Sequence, residues 1–232
     1  MRLVVLAAVL VLAAPAAAPA ATVTTMVVGK SRTLRDAKDV RLVEKRRVKV
    51  GGRRCTVKGA TPLGVLAGLG LTMRLRDYGH CGRRPADASS LFVTRIGPDR
   101  NRGQDGWVFK VGRRTPSTGA ADVSGRRLRN HGRLLWFWCD AQPTGGCQRT
   151  LEATPDRTAA APGEALRVTV RGYDDNGRGT AIEGATVVLG GASAVTGADG
   201  VATVIVLAAG RLRLTASKPG AVRSFPREVR AG

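Results

Sequence analysis

Aromatic side chains are scarce in this chain: Phe, Trp and Tyr make up 4% of its 232 residues. A nucleic-acid platform that stacks bases on interleaved rings is hard to build from so few. Histidine occurs only at His80 and His131, and neither sits in a Ser or Cys nucleophile motif, so imidazole catalysis has little to work with. No P-loop and no dinucleotide fingerprint is present; Gly103, Gly106 and Gly112 have the spacing of turns and a hairpin rather than of a phosphate cradle. Cysteine pairs at the C-x₂₋₄-C spacing that zinc prefers are missing. Asp174-Asp175-Asn176 lacks the alternating acids and distal Glu of a calcium loop, since Arg178 takes the next alternate place. These absences point away from an enzyme and away from a resident metal.

Acid is scarce too. Asp and Glu number 17 against 38 Lys and Arg, for a formal net charge of +21. Such a balance suits an anionic partner, a nucleic acid in the cytoplasm or an envelope polymer or lipid headgroup outside it. A GC-rich genome, whose codons favour Arg, Ala, Gly, Pro and Val, produces the same bias without function. The charge is spread along the chain, with a denser stretch from Lys30 to Lys58.

What is present at the start is an export signal. Arg2 supplies the positive end, Leu3 to Ala14 is an apolar run, and Ala18-Pro19-Ala20 is a small-x-small site with cleavage expected after Ala20. The run falls short of the roughly 20 residues a membrane-spanning helix needs, and no later segment is long and apolar enough to span a bilayer. A secreted or envelope location follows, and no nucleic acid is expected there. The four cysteines, Cys55, Cys81, Cys139 and Cys147, agree with an oxidising compartment. Of the three pairings, the nearest in sequence are Cys55–Cys81 and Cys139–Cys147, and these are expected.

Composition shifts near residue 150. Every Cys, Trp and His precedes it; beyond it come short β-type runs between Gly, Asp and Asn. Residues 21–150 and 151–232 are therefore expected as two domains. In the first, strands are expected at Thr22–Val28, Val40–Val50, Leu71–Leu75, Leu91–Ile96, Trp107–Val111 and Leu134–Cys139, with a short helix from Thr61 to Gly70, an α+β pattern. Thr61 caps, Pro62 suits the first helical position and Gly70 suits the stop. In the second, strands are expected at Ala165–Arg171, Ala185–Leu189, Ser193–Thr196, Val201–Val206, Arg211–Ala216 and Val222–Val229, the pattern of a small β-sandwich. The fold class is thus mostly β: an α+β domain followed by a small sandwich.

Three pieces of the first domain carry a resemblance: Thr61-Pro62-Leu63-Gly64-Val65-Leu66, Gly106-Trp107-Val108-Phe109-Lys110-Val111-Gly112, and Leu134-Leu135-Trp136-Phe137-Trp138. Over about residues 40–140 it resembles the transcobalamin C-terminal-like family, whose fold is β-grasp-like. His131-Gly132 stands where that family has Gly-Asp before the last strand. In the second domain, Gly184-Ala185-Thr186-Val187, then Thr196 to Thr203, then Ala216-Ser217-Lys218-Pro219-Gly220, resemble carboxypeptidase-regulatory-like or bacterial Ig-like domains. The latter resemblance implies a non-catalytic spacer or adhesion module.

Two binding surfaces are open at this point. Trp107 with Phe109, and Trp136 with Trp138, share strand faces by their two-residue spacing; each face is either core or a groove for a small planar ligand. The transcobalamin resemblance implies a corrinoid, cobalamin, for such a groove, although this chain lacks the large helical partner domain that covers it in transcobalamin. Otherwise no cofactor is expected. The leading expectation is a non-enzymatic binding or adhesion protein at the cell envelope, the alternative a corrinoid-type carrier.

Overall fold

A computed structural model describes residues 20–122 and 128–232. The expected signal, Met1 to Ala20, falls outside the described residues apart from Ala20. In chain order the elements are β1 (Thr22–Val28), β2 (Thr33–Arg41), β3 (Lys45–Val50), β4 (Arg53–Lys58), α1 (Pro62–Ala67), β5 (Met73–Asp77), a 3₁₀ turn (Pro85–Ala88), β6 (Leu91–Ile96), β7 (Asp99–Arg100), β8 (Gly106–Val111) and β9 (Gly132–Cys139). There follow β10 (Thr150–Pro155), β11 (Ala159–Ala160), β12 (Ala165–Tyr173), β13 (Gly179–Ala181), β14 (Thr186–Leu189), β15 (Ala192–Val195), β16 (Val201–Ile205), β17 (Gly210–Ser217) and β18 (Arg227–Ala231).

The first half is organised by a four-stranded sheet in the order β2-β1-β9-β8. Its central pair, β1 and β9, is parallel, and each outer strand pairs antiparallel with its neighbour. The Thr61 hydroxyl accepts from Gly64 N at 3.1 Å to start α1, and Pro62 fills the first turn, where its missing N–H costs nothing. The helix lies on this sheet: Trp136 Nε1 on β9 donates to the Pro62 carbonyl at 3.3 Å, and Leu63 and Leu66 join Val23 and Trp136 in one buried cluster. A mixed sheet with a central parallel pair and one helix across it is the β-grasp arrangement. Two smaller sheets, β3-β4 and β5-β6-β7, close the other side of that core.

The second half is a sandwich. One sheet is β10-β12-β13 with β16 beside β12; the other is β11-β18-β17-β14-β15. Strand β12 alternates: Leu166, Val168 and Val170 are buried while Arg167, Thr169 and Arg171 face water. The buried faces of both sheets meet in one cluster that includes Leu151, Val187, Leu189, Val204, Leu214 and Val229.

Strand β9 explains how the halves meet. Leu134 through Cys139 are all buried, with no polar alternation. Leu134, Trp136 and Trp138 point into the first core. Leu135, Phe137 and Cys139 point the other way and pack with Met26 and with Val222 and Phe225 of the second half. A continuous apolar strand is the mark of a sheet covered on both faces, and here the second half supplies the second cover.

Some elements differ from expectation. Val40–Val50 is not one strand: the chain leaves β2 at Arg41, turns over residues 42–44 where Glu44 O accepts from Gly59 N at 2.9 Å, and resumes as β3. The polar edge strand β2 has too few apolar residues to announce itself. Val222–Val229 is irregular as far as Pro226, and the last strand, β18, begins only at Arg227. Val222 instead bonds β10 and the residue before it: Leu151 N donates to Val222 O at 2.8 Å, and Val222 N donates to Arg149 O at 2.9 Å.

Candidate functional site

Strands β3 and β4 form a hairpin around the two-residue turn Gly51-Gly52. Gly51 sits at φ 60°, which a primed hairpin turn requires and which glycine adopts without steric cost. The two-residue period of a strand divides the hairpin cleanly. Val48 and Val50 of β3, and Cys55 and Val57 of β4, are buried in the first core. The opposite face presents Lys45, Arg47 and Lys49 from β3 and Arg54, Thr56 and Lys58 from β4.

Register makes this face unusual. Lys45 stands directly across from Lys58, Lys49 across from Arg54, and Arg47 across from Thr56. Like charges directly opposed on a sheet are destabilising, yet both charged pairs are cation against cation. Lys45 reaches the neighbouring Glu44 at 3.1 Å. Among the described residues Arg47, Lys49, Arg54 and Lys58 have no carboxylate within ion-pairing distance.

A groove of about 640 Å³ runs along this hairpin, lined by Lys45, Arg46, Arg47, Arg54, Thr56 and Arg83 with Cys55. Arg83 is brought there by covalent and hydrogen bonds. Cys55 and Cys81 form a disulfide with Cα atoms 5.6 Å apart, and Thr56 N donates to Gly82 O at 2.8 Å. The acids nearby are engaged elsewhere: Asp77 takes Arg53 at 3.3 Å, and Asp87 takes Arg84 at 3.3 Å. Backbone N–H of Cys81, the Ser90 hydroxyl and Gly79 N–H hold the Asp77 carboxyl below its ordinary pKa, against a smaller opposing push from burial. The groove therefore offers positive charge with little internal compensation, which is the requirement for holding an anion.

The aromatic residues singled out in the sequence lie elsewhere. Trp107, Trp136 and Trp138 are 4%, 1% and 4% exposed, and Phe109 packs against the same core. Trp107 and Trp138 meet edge to face with centroids 6.0 Å apart, and Phe109 meets Trp136 at 5.1 Å. Each indole N–H has an acceptor: Trp107 in Asp99 O at 2.9 Å, Trp136 in Pro62 O, and Trp138 in Asp140 Oδ1 at 3.0 Å. The second disulfide, Cys139–Cys147, closes the loop that follows β9. Asp174 and Asp175 are a turn and a tether. Asp174 Oδ1 accepts from Arg178 N at 2.8 Å, while Asp175 accepts from the Thr115 hydroxyl and Cys147 N. Among the described residues no cluster of His, Cys, Asp and Glu could hold a metal ion, and no helix is long and apolar enough to cross a membrane.

The sequence shows the density of charge between Lys30 and Lys58 but not its concentration on one face. That needs the break at 42–44 and the hairpin register, and the Gly51-Gly52 pair flanked by Val48, Val50, Cys55 and Val57 is the signal that locates the register.

No protein-family profile and no curated protein matches this sequence. Among solved structures it is similar to the D00-D0 domain of intimin, at 15% identity over 80% of this chain and 91% of that one, with a TM-score of 0.26. It is also similar to murine CEACAM1b, at 12% identity over 91% of this chain and all of that one, with a TM-score of 0.24. Superpositions this loose bear on neither fold nor function, which rest on the residues themselves.

Proposed function

We propose that this chain is an exported, non-enzymatic binding protein whose β3–β4 hairpin holds an anionic polymer of the cell envelope. The observation that carries the reading is the outward hairpin face, where Lys45 opposes Lys58, Lys49 opposes Arg54 and Arg47 lies between them, with scarcely any acid among them. A fold gains nothing from such a face, and a polyanion does. Successive cations along one strand are about 7 Å apart, twice the strand rise, so an extended polymer can meet several at once. On this reading residues 1–20 are a signal peptide, residues 21–150 are the binding domain and residues 151–232 are an Ig-like spacer or adhesion module. Two disulfides suit an oxidising compartment. The resemblance to the transcobalamin C-terminal-like family bears on the β-grasp scaffold; a corrinoid or other planar ligand would need Trp107, Phe109, Trp136 and Trp138 uncovered.

Co-sedimentation of the exported chain with purified anionic envelope polymers across a salt series tests the proposal. Five neutralised charges predict a log–log salt slope of about −3 to −4, by counterion release from a flexible polyanion. Reversing Arg47 and Lys49 to Glu should release the polymer. Binding that persists in high salt, or that ignores those substitutions, overturns the reading.

A further inference from the structure

Glu152, on β10, lines a cleft of about 300 Å³ between the two halves, and three guanidiniums converge on it. Arg113 Nε donates to Oε2 at 2.7 Å, and Arg133 and Arg227 donate to Oε1 at 3.3 and 2.6 Å. Three positive charges against one carboxylate leave two in excess.

The excess is also an excess of donors. Each guanidinium carries five N–H groups, and one from each is spent on Glu152. Arg227 Nε is shielded from solvent and has no acceptor. Aromatic rings hold the guanidiniums in place: Arg113 lies 4.5 Å from the Tyr173 centroid and Arg133 lies 5.7 Å from that of Phe225. The three side chains keep 56%, 37% and 31% of their exposure, so a small solute can reach them. Burial, and then the charge of Arg227, hold the Arg133 pKa down, with Glu152 pulling it back.

A doubly charged oxyanion supplies both missing quantities. We propose that this cleft is a binding site for a phosphate-sized dianion, either free phosphate or the terminal group of a phosphate monoester, gripped by Arg113, Arg133 and Arg227. Arginine suits the task because its planar fork matches the oxyanion with paired hydrogen bonds. The site is separate from the cationic hairpin, and either can exist without the other.

The test is a ³¹P NMR titration at fixed ionic strength, in a background where Arg47, Lys49 and Arg54 are replaced by Gln so that the hairpin does not contribute. Inorganic phosphate and phenyl phosphate are the two probes. Saturable broadening with either supports the site, and the better probe says whether the free ion or the ester is preferred. Loss of one charged contact in Arg133→Gln or Arg227→Gln should weaken binding about tenfold or more. Glu152→Gln removes the competing charge and should tighten binding, which keeps the test decisive if an arginine variant fails to fold. The proposal is overturned if neither probe saturates, if both arginine variants bind as before, or if Glu152→Gln binds more weakly. Polymer co-sedimentation by Arg133→Gln and Arg227→Gln should be unchanged in the native hairpin background, so failure here leaves the hairpin reading untouched.

Discussion

The ammonium of Lys110, on β8 of the first half, donates to the carbonyl of Tyr173, the last residue of β12 in the second, at 3.0 Å. It also reaches Asp174 O at 2.8 Å, the Thr150 hydroxyl at 3.2 Å and the Asp175 carboxylate at 3.7 Å. Lys110 is 1% exposed, so a cation is threaded through the apolar junction to satisfy backbone oxygens across it. Burial pushes its pKa below the usual 10.5, with Asp175 and Asp174 pulling back. Lys110→Met keeps the stem volume but leaves those carbonyls short of a donor, so it should cost about 2 kcal/mol in chemical denaturation. The pH dependence has a definite sign. The unfolded chain binds this proton more tightly, so native stability should rise as pH climbs from the lowered folded pKa toward 10.5, and that rise should vanish in Lys110→Met.

Glu152 has the opposite linkage. Burial pushes its pKa up, but pairing with Arg113 and Arg227 outweighs burial and leaves it below the ordinary 4.5. The stability it contributes is complete above pH 4.5 and is lost as pH falls through the lower folded value. Asp36 and Asp174 are also lowered, Asp36 chiefly by its Arg213 bond and Asp174 by the Arg178 N–H. The difference between native and Glu152→Gln melting curves from pH 6 to pH 3 isolates Glu152: it should be largest at pH 6 and shrink toward acid. A difference that does not change across this range would show that the charge contributes nothing.

The two disulfides should differ in weight. Cys55–Cys81 closes a loop of 26 residues and Cys139–Cys147 one of 8. Chain-entropy estimates give about 3.5 and about 2.5 kcal/mol respectively. The double Ala replacement at Cys55 and Cys81 should therefore lower the melting temperature more. It should also weaken polymer binding, because that bridge brings Arg83 to the hairpin, whereas the replacement at Cys139 and Cys147 should leave binding alone.

Trp136→Ala should cost about 3–5 kcal/mol, the usual range for a large aromatic removed from a core, because Trp136 is 1% exposed and bonded to Pro62 O. With the rings enclosed, hydroxocobalamin added to the native chain should leave both indole fluorescence and the corrinoid spectrum unchanged. A saturable change in either would return the aromatic face to the list of binding surfaces.

Periodicity made the scaffold legible and hid the site. The helix start could be read from Thr61 and Pro62, and the sandwich strands from alternation such as Leu166, Val168 and Val170, because burial on one face imposes a period on sequence. The run Leu134 to Cys139 announced a strand, yet the alternative for its rings, core or groove, could be weighed only once Val222 and Phe225 were seen to cover one face and α1 the other. Charged residues obey no such rule. Lys45, Arg47, Lys49, Arg54 and Lys58 are local in sequence but meet only through the register set at Gly51-Gly52. Arg113, Arg133, Glu152 and Arg227 come from four separate segments, which no local pattern could join.

Arg54 offers the sharpest test of the hairpin, because stability and binding should move in opposite directions. It faces Lys49 across the ladder, and both are exposed. Arg54→Glu replaces a like-charge pair with an opposite-charge pair, a change worth about 0.5 kcal/mol in favour of the fold. The same substitution puts an acid in the middle of the cationic face. The variant should melt slightly higher than the native chain and bind anionic polymer distinctly less well, with a shallower salt slope. If the charge were only a consequence of composition, the gain in stability would remain and polymer binding would follow net charge alone. A control that removes the same charge far from the hairpin, Arg167→Glu on the exposed face of β12, separates the two. Equal loss of binding in both variants would assign the attraction to the whole molecule; loss confined to Arg54→Glu would assign it to the hairpin.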